Sequence, residues 1–128
     1  MAADGFYFQG DFTFFKGRAS WQKTVSHMKI TQTSTLVSSG GQSVGSAAHE
    51  ALAMGDVTAP SICYVRNLSD DYPLQIGIEV GGTFYPVLEL EPGDDLPLIG
   101  RFYSSETIYV KGNGGTVLID FAVFQKDA

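Results

Sequence analysis

Gly41-Gln42-Ser43-Val44-Gly45 has the spacing Gly-x-Ser-x-Gly, in which a strained strand-to-helix turn lifts a serine hydroxyl above a hydrolase sheet. Attack by that serine needs a separately mounted base, and the only histidines are His27 and His49. His49 follows Ser43 too closely to fold back as such a base, and no alternating strand-helix pattern surrounds the match. A loop rich in Ser and Gly produces so short a pattern by composition alone. Two histidines without cysteine or a third histidine at ligand spacing do not make a zinc site. Glu89 and Glu91 fall on one side of an extended chain, a spacing compatible with paired glycosidase carboxylates, yet nothing beside them would position a sugar. Asp70-Asp71 and Asp94-Asp95 are oxygen-rich but lack the ligand spacing of a calcium loop, so they read as solvated turn residues. Lys111 precedes Gly112-Asn113-Gly114-Gly115 in the wrong order for a phosphate loop. The chain is therefore read as non-enzymatic, with no catalytic residue, cofactor or metal.

The elements around these residues show the period of two that places alternate side chains on opposite faces of a strand. From Leu74 to Val80, Leu74, Ile76, Ile78 and Val80 alternate with Gln75, Gly77 and Glu79. Gly81-Gly82 then supplies the positive φ angles of a two-residue turn, predicting a hairpin into Thr83–Leu90 with Phe84, Leu88 and Leu90 on one face. Pro86 cannot donate to a ladder, which places it at a sheet edge or a bulge. Glu91-Pro92-Gly93-Asp94 reads as a turn, followed by a strand pair, 96–102 with 107–111. After the turn at 112–115, residues 116–124 form a nearly continuous apolar strand broken by Asp120, both of whose faces can be covered. Residues 61–67 make one more strand, with Ile62 and Tyr64 opposing Cys63 and Val65. Gln22 to Val37 is extended by composition, Ser38 to Ser46 reads as a flexible connector, and Ala47 to Gly55 leans to strand over helix. Seven or eight short strands with Gly/Pro turns predict an all-β protein, an antiparallel β-sandwich that is jelly-roll-like.

The 128 residues, 44% of them apolar, suffice for one domain with a sizeable core. A net charge of −6 without a Lys/Arg cluster argues against nucleic-acid phosphates and anionic membranes as partners. Neither a secretion signal nor an apolar run long enough to cross a membrane is present. Cys63 is the single cysteine, so no internal disulfide forms; folding in a reducing cytosol fits, and the sequon Asn67-Leu68-Ser69 is then coincidental. Charge is uneven: residues 1–49 carry +2 and residues 50–128 carry −8. Complementary charge of this kind is satisfied within one subunit or steers subunits together.

The stretch FYFQGDFTFF, residues 6–15, sets Phe6, Phe8, Phe12 and Phe14 on one face of an extended chain. Burying four such side chains is worth on the order of 6–12 kcal/mol, an upper estimate, so this face must lie against something. Either it belongs to the protein's own core, or residues 1–21 form an extended aromatic arm, based at Trp21, attached to a sandwich domain of residues 22–128. Phe6, Phe8, Phe12, Phe14 and Trp21 are then the candidate assembly interface.

From Gln42 the stretches QSVGSAAHEALAMGDVTAP, YVRNLS, IGIEVGGTFYPVLELEPGD and IYVKGN resemble a family of small proteins encoded among the structural genes of tailed bacteriophages. The similarity spans roughly residues 42–124 and departs from the family at Ser61, where glycine is usual after Pro60, and at Asp94, where glutamate is usual. The resemblance implies a virion component assembled in the host cytoplasm and brings no catalytic residues. The expected function is a capsid decoration or cement protein, a homo-oligomer, expected to be a trimer, bound to the major capsid protein or another virion protein. Alternatives are a tail, fibre or baseplate component, or a carbohydrate-binding module in which Tyr64, Tyr72, Tyr85, Tyr103 or Tyr109 stacks on sugar rings.

Overall fold

A computed structural model describes residues 5–31, 35–93, 96–102 and 106–126. The described residues form ten strands and no helix, divided between two compact units, Met1–Thr35 and Leu36–Lys126. The boundary falls at 35/36 and not at 21/22, because the aromatic stretch does not run out as a single extended arm. It folds back on the segment that follows it.

In the first unit β1 (Gly5–Lys16) pairs antiparallel with β2 (Ala19–Thr31) around a two-residue turn at Gly17-Arg18. The register sets Phe14 opposite Trp21, Phe12 opposite Lys23 and Gly10 opposite Val25, then shifts at a bulge beyond which Phe8 meets Met28 and Phe6 meets Ile30.

The second unit contains β3 (Val37–Val44), β4 (Glu50–Ala51), β5 (Pro60–Asn67), β6 (Leu74–Val80), β7 (Thr83–Leu90), β8 (Leu98–Arg101), β9 (Tyr109–Gly112) and β10 (Val117–Gln125). Their pairings nest: β6 with β7 is innermost, then β5 with β8, β4 with β9, and β3 with β10 outermost. A long double-stranded ribbon with these pairs, rolled until β10 meets β5 and β9 meets β6, closes into two four-stranded sheets, β3-β10-β5-β8 and β4-β9-β6-β7. This is an antiparallel β-sandwich with the strand order of a jelly roll.

Alternation decides which side chains fill it. Along β10, Val117, Ile119, Phe121 and Val123 are buried while Leu118 is 51% exposed. The cross-strand partners of Phe121 and Val123 on β5, Val65 and Cys63, are buried on the same face. Leu74 and Ile76 of β6, Leu90 of β7 and Val110 of β9 cover them from the other sheet, with Leu52, Val57 and Ile108 contributed by loops. Only one face of β10 is therefore fully covered.

The predicted hairpin 74–90 has the expected strand limits, and Gly81 and Gly82 take φ values of 58° and 84°. Pro86 stands on an edge strand and at a bulge together: Ile76 pairs with Leu88 but Gly77 with Pro86. The bulge presses β7 onto Gly77, where a Cβ would meet the Tyr85 carbonyl and lie 2.8 Å from the Pro86 Cα. Two expectations fail. Residues 96–102 and 107–111 do contain strands, but β8 and β9 lie in opposite sheets and do not pair, because the ribbon fold sends each to a partner far earlier in the chain. The serine- and glycine-rich stretch from residue 38 is no loose connector either: β3 is laddered to β10 from Val37↔Phe124 to Val44↔Val117, backbone pairing overriding weak side-chain preference. The segment 47–55 contributes only the two-residue β4, extended by a hydrogen bond from the Leu52 N–H to the Ile108 carbonyl.

Candidate functional site

The hairpin β1–β2 collects the residues predicted for assembly. Phe12, Phe14, Trp21 and Val25 share one face through the register, and Phe8 and Phe6 continue the same row of positions beyond the bulge. Trp21 sits near the hairpin tip, beside the turn, and not at the base of an arm. On the described side chains this face is wet: Phe12 is 43%, Phe14 51% and Trp21 56% exposed. Tyr7 and Phe15 sit at register positions of the opposite face, Phe15 at 73% exposure. A facing aromatic pair such as Phe14–Trp21 contributes about 0.2–1 kcal/mol, and a lone two-stranded ribbon is marginal in water. Cover for the apolar face would stabilise it far more than its own cross-strand contacts.

The sandwich carries a second cluster that the sequence did not reveal. His49, just before β4, places Nε2 2.8 Å from Glu79 Oε1 on β6. Its ring stacks on Phe84 at 5.4 Å and meets Tyr109 edge-on at 5.4 Å. Glu79 accepts from His49 and from the Tyr109 hydroxyl, which holds its carboxyl below the ordinary range and pushes the Tyr109 phenol up. The Glu79–Phe84 contact follows from the Gly81-Gly82 turn, but His49 and Tyr109 arrive through the β4–β9 and β6–β9 pairings. No local pattern announces those. The cluster offers a carboxylate, an imidazole and two rings, one of them a phenol, partly open to solvent.

The other candidates resolve individually. Ser43 is exposed on β3, paired with Leu118, while His49 is engaged by Glu79. His27 lies on β2, in the other unit. Among the described residues no group of three or more His, Cys, Asp or Glu is placed to hold a metal ion. Glu89 is the last but one residue of β7 and accepts a long hydrogen bond from Asn113 Nδ2, 3.4 Å, whereas Glu91 lies past the strand end. Asp70 and Asp71 are exposed loop residues; Asp94, Asp95 and Tyr103 lie outside the described residues. Of the tyrosines, Tyr64 belongs to one sheet and Tyr85 and Tyr109 to the other, and the Tyr72 ring rests against Gly114 and Gly115. They form no shared platform. Asn67 is buried, its amide donating to the Tyr72 and Leu90 carbonyls, so the sequon has no free nitrogen to carry a glycan.

Comparison with protein families, with curated proteins and with solved structures finds no match to this chain.

Proposed function

We propose that this protein is a non-enzymatic structural component of a tailed-phage particle, a decoration or cement protein that self-associates and binds the capsid shell. One observation carries the reading: the register of β1 and β2 puts Phe12, Phe14 and Trp21 on one exposed face of a ribbon that forms its own unit. Such a face is an association element, since contiguous exposed apolar surface marks interaction sites. The jelly-roll order is compatible with this, being an architecture used by viral capsid domains as well as lectins, although fold alone does not assign function. The resemblance of residues 42–124 to phage structural-gene products supports the same assignment.

Mechanically, the sandwich provides a rigid block and the hairpin the adhesive. Each copy buries aromatic area against a neighbouring subunit and so resists separation of the shell. The test compares the full chain with the triple variant Phe12→Ser, Phe14→Ser, Trp21→Ser by light scattering and by co-sedimentation with particles. Wild type is expected as an oligomer retained on particles, at a copy number close to that of the shell protein; the variant is expected as a folded monomer that washes off. A wild-type monomer absent from mature particles overturns the reading. A low copy number per particle moves it to the tail, fibre or baseplate.

A further inference from the structure

The sandwich has an apolar cavity of about 150 Å³ at one end, floored by Ile76 and Ile108 and walled by Ile78, Leu88 and Phe102. Its rim is open: Val87 is 68% exposed and Leu88 41%. Glu106 lies at the same mouth. The volume is informative. A cavity of about 150 Å³ lined by aliphatic and aromatic carbon accepts one benzene ring, whereas sites for drug-sized molecules run to roughly 300–1,000 Å³. The space fits a single phenyl side chain.

We propose that this cavity is the receptor for the hairpin of a second copy of the chain, with Phe14 of the apolar hairpin face as the inserted ring. This rests on the assembly role of the hairpin proposed above and names its partner surface. Charge selects the occupant. The unit Met1–Thr35 carries Lys16, Arg18, Lys23 and Lys29 against Asp4 and Asp11, a net +2, while the rest of the chain carries −8. Two sandwiches would repel one another across such a contact, and a hairpin and a sandwich attract. Lys23 stands opposite Phe12 on the same hairpin face as Phe14, where a carboxylate at the cavity mouth such as Glu106 complements it. The mode is insertion and not strand addition, because Pro86 and the bulge at Gly77 interrupt the hydrogen-bonding edge of β7. A contact between two different surfaces of one chain is head-to-tail, and it closes into a ring when the rotation between copies permits.

Complementation between two defective full-length chains tests this. Phe14→Ser/Trp21→Ser disables the hairpin and leaves the cavity; Val87→Lys places a cation and a polar stem at the rim and leaves the hairpin. Val87 is largely exposed, so its replacement removes no core packing, and an unchanged thermal midpoint verifies the fold of each variant. Each variant alone is expected to self-associate at least about tenfold more weakly than wild type, a loss of about 1.4 kcal/mol. Their equimolar mixture is expected to recover a two-chain species, since one intact hairpin then meets one intact cavity. If Val87→Lys retains the wild-type mass while the hairpin variant dissociates, the hairpin assembles but this cavity is not its receptor. If both dissociate and the mixture stays monomeric, the head-to-tail contact is wrong. A monomeric wild type overturns both this inference and the reading beneath it.

Discussion

Removal of Asn67 is expected to be the most damaging single polar substitution in the sandwich. Its side chain is 5% exposed at the end of β5. The amide donates to the Tyr72 carbonyl and to the Leu90 carbonyl, both at 3.0 Å, and Oδ1 accepts from the Ser69 N–H at 2.8 Å. One residue thereby ties the end of β5 in the first sheet to the end of β7 in the second and to the loop between β5 and β6. In Asn67→Ala all three partners lose their bond. Water can replace those to Ser69 and Tyr72, which are only partly buried, but the bond to Leu90 is buried. At about 1 kcal/mol net for each hydrogen bond, and about 1–3 for a buried group left unpaired, the cost is about 3 kcal/mol. For a domain of this size each kcal/mol moves the midpoint by about 4–8 °C, giving a fall of roughly 12–24 °C. Asn67→Asp keeps the shape but points carboxylate oxygen at two carbonyls, which favours the protonated acid in the fold. The stability of that variant relative to wild type is therefore greatest at acid pH, and this contribution is lost as pH rises above about 3.9, the ordinary aspartate value, toward the raised folded one. Thermal unfolding of wild type and both variants, followed by circular dichroism at pH 3.5 and 7, reads both effects. A midpoint for Asn67→Ala within about 3 °C of wild type would refute the reasoning, since less than one hydrogen bond's worth of stability would then reside there.

Gly77→Ala should destabilise by about 1–3 kcal/mol in denaturant titration, since the added Cβ collides with the β7 backbone. An unobstructed Gly→Ala change gains about 0.4–1 kcal/mol instead, so a higher midpoint would show that β7 does not press on β6. Burial pushes the Cys63 thiol up to about 12, so it should stay unmodified by a thiol reagent at pH 8 until denaturant is added. Stoichiometric labelling of the native chain would contradict its place in the core. The hydrogen bond from His49, then that from Tyr109, lowers the Glu79 pKa from 4.5, so its stabilisation is complete above that value and is lost as pH falls through the lower folded pKa. Wild type should accordingly lose more thermal stability than Glu79→Gln on acidification through that window, and a Glu79 carboxyl resonance titrating at or above 4.5 would count against the cluster.

The contrast between the two halves of the sandwich explains what the sequence could disclose. β6 and β7 are neighbours in the chain, joined by two glycines whose backbone freedom fixes the turn, so limits, register and the irregularity at Pro86 all follow from local residues. The outer pairs of the ribbon join residues such as Val44 and Val117, which lie far apart in the chain. No short window contains that information. Hence the composition of β3 suggests a linker, adjacency in the chain suggests that β8 and β9 pair, and the His49–Glu79–Tyr109 cluster depends on pairings between distant strands. In the hairpin the row of phenylalanines was plain, but its complement on β2 was masked by an irregular alternation. The bulge beyond Gly10 and Val25 is the cause, since a register shift breaks the period of two.

The edges of the sandwich narrow the ways in which copies can meet. β4 has two residues and β8 four, too short to template a neighbour, and β7 is interrupted by Pro86 and its bulge. Among the described strands of this unit β3 is the one long edge without such an interruption, and its glycines and short Ser side chains offer little to grip an added strand. Sheet extension is thus discouraged at each edge, while the apolar side chains left exposed include those of the hairpin face and of the rim at Val87 and Leu88. One is a projecting row of rings on a cationic unit. The other is a recess of phenyl size on an anionic one. In the head-to-tail contact proposed above, side-chain insertion would use both and leave neither wet, the rings of one copy seated in the recess of another.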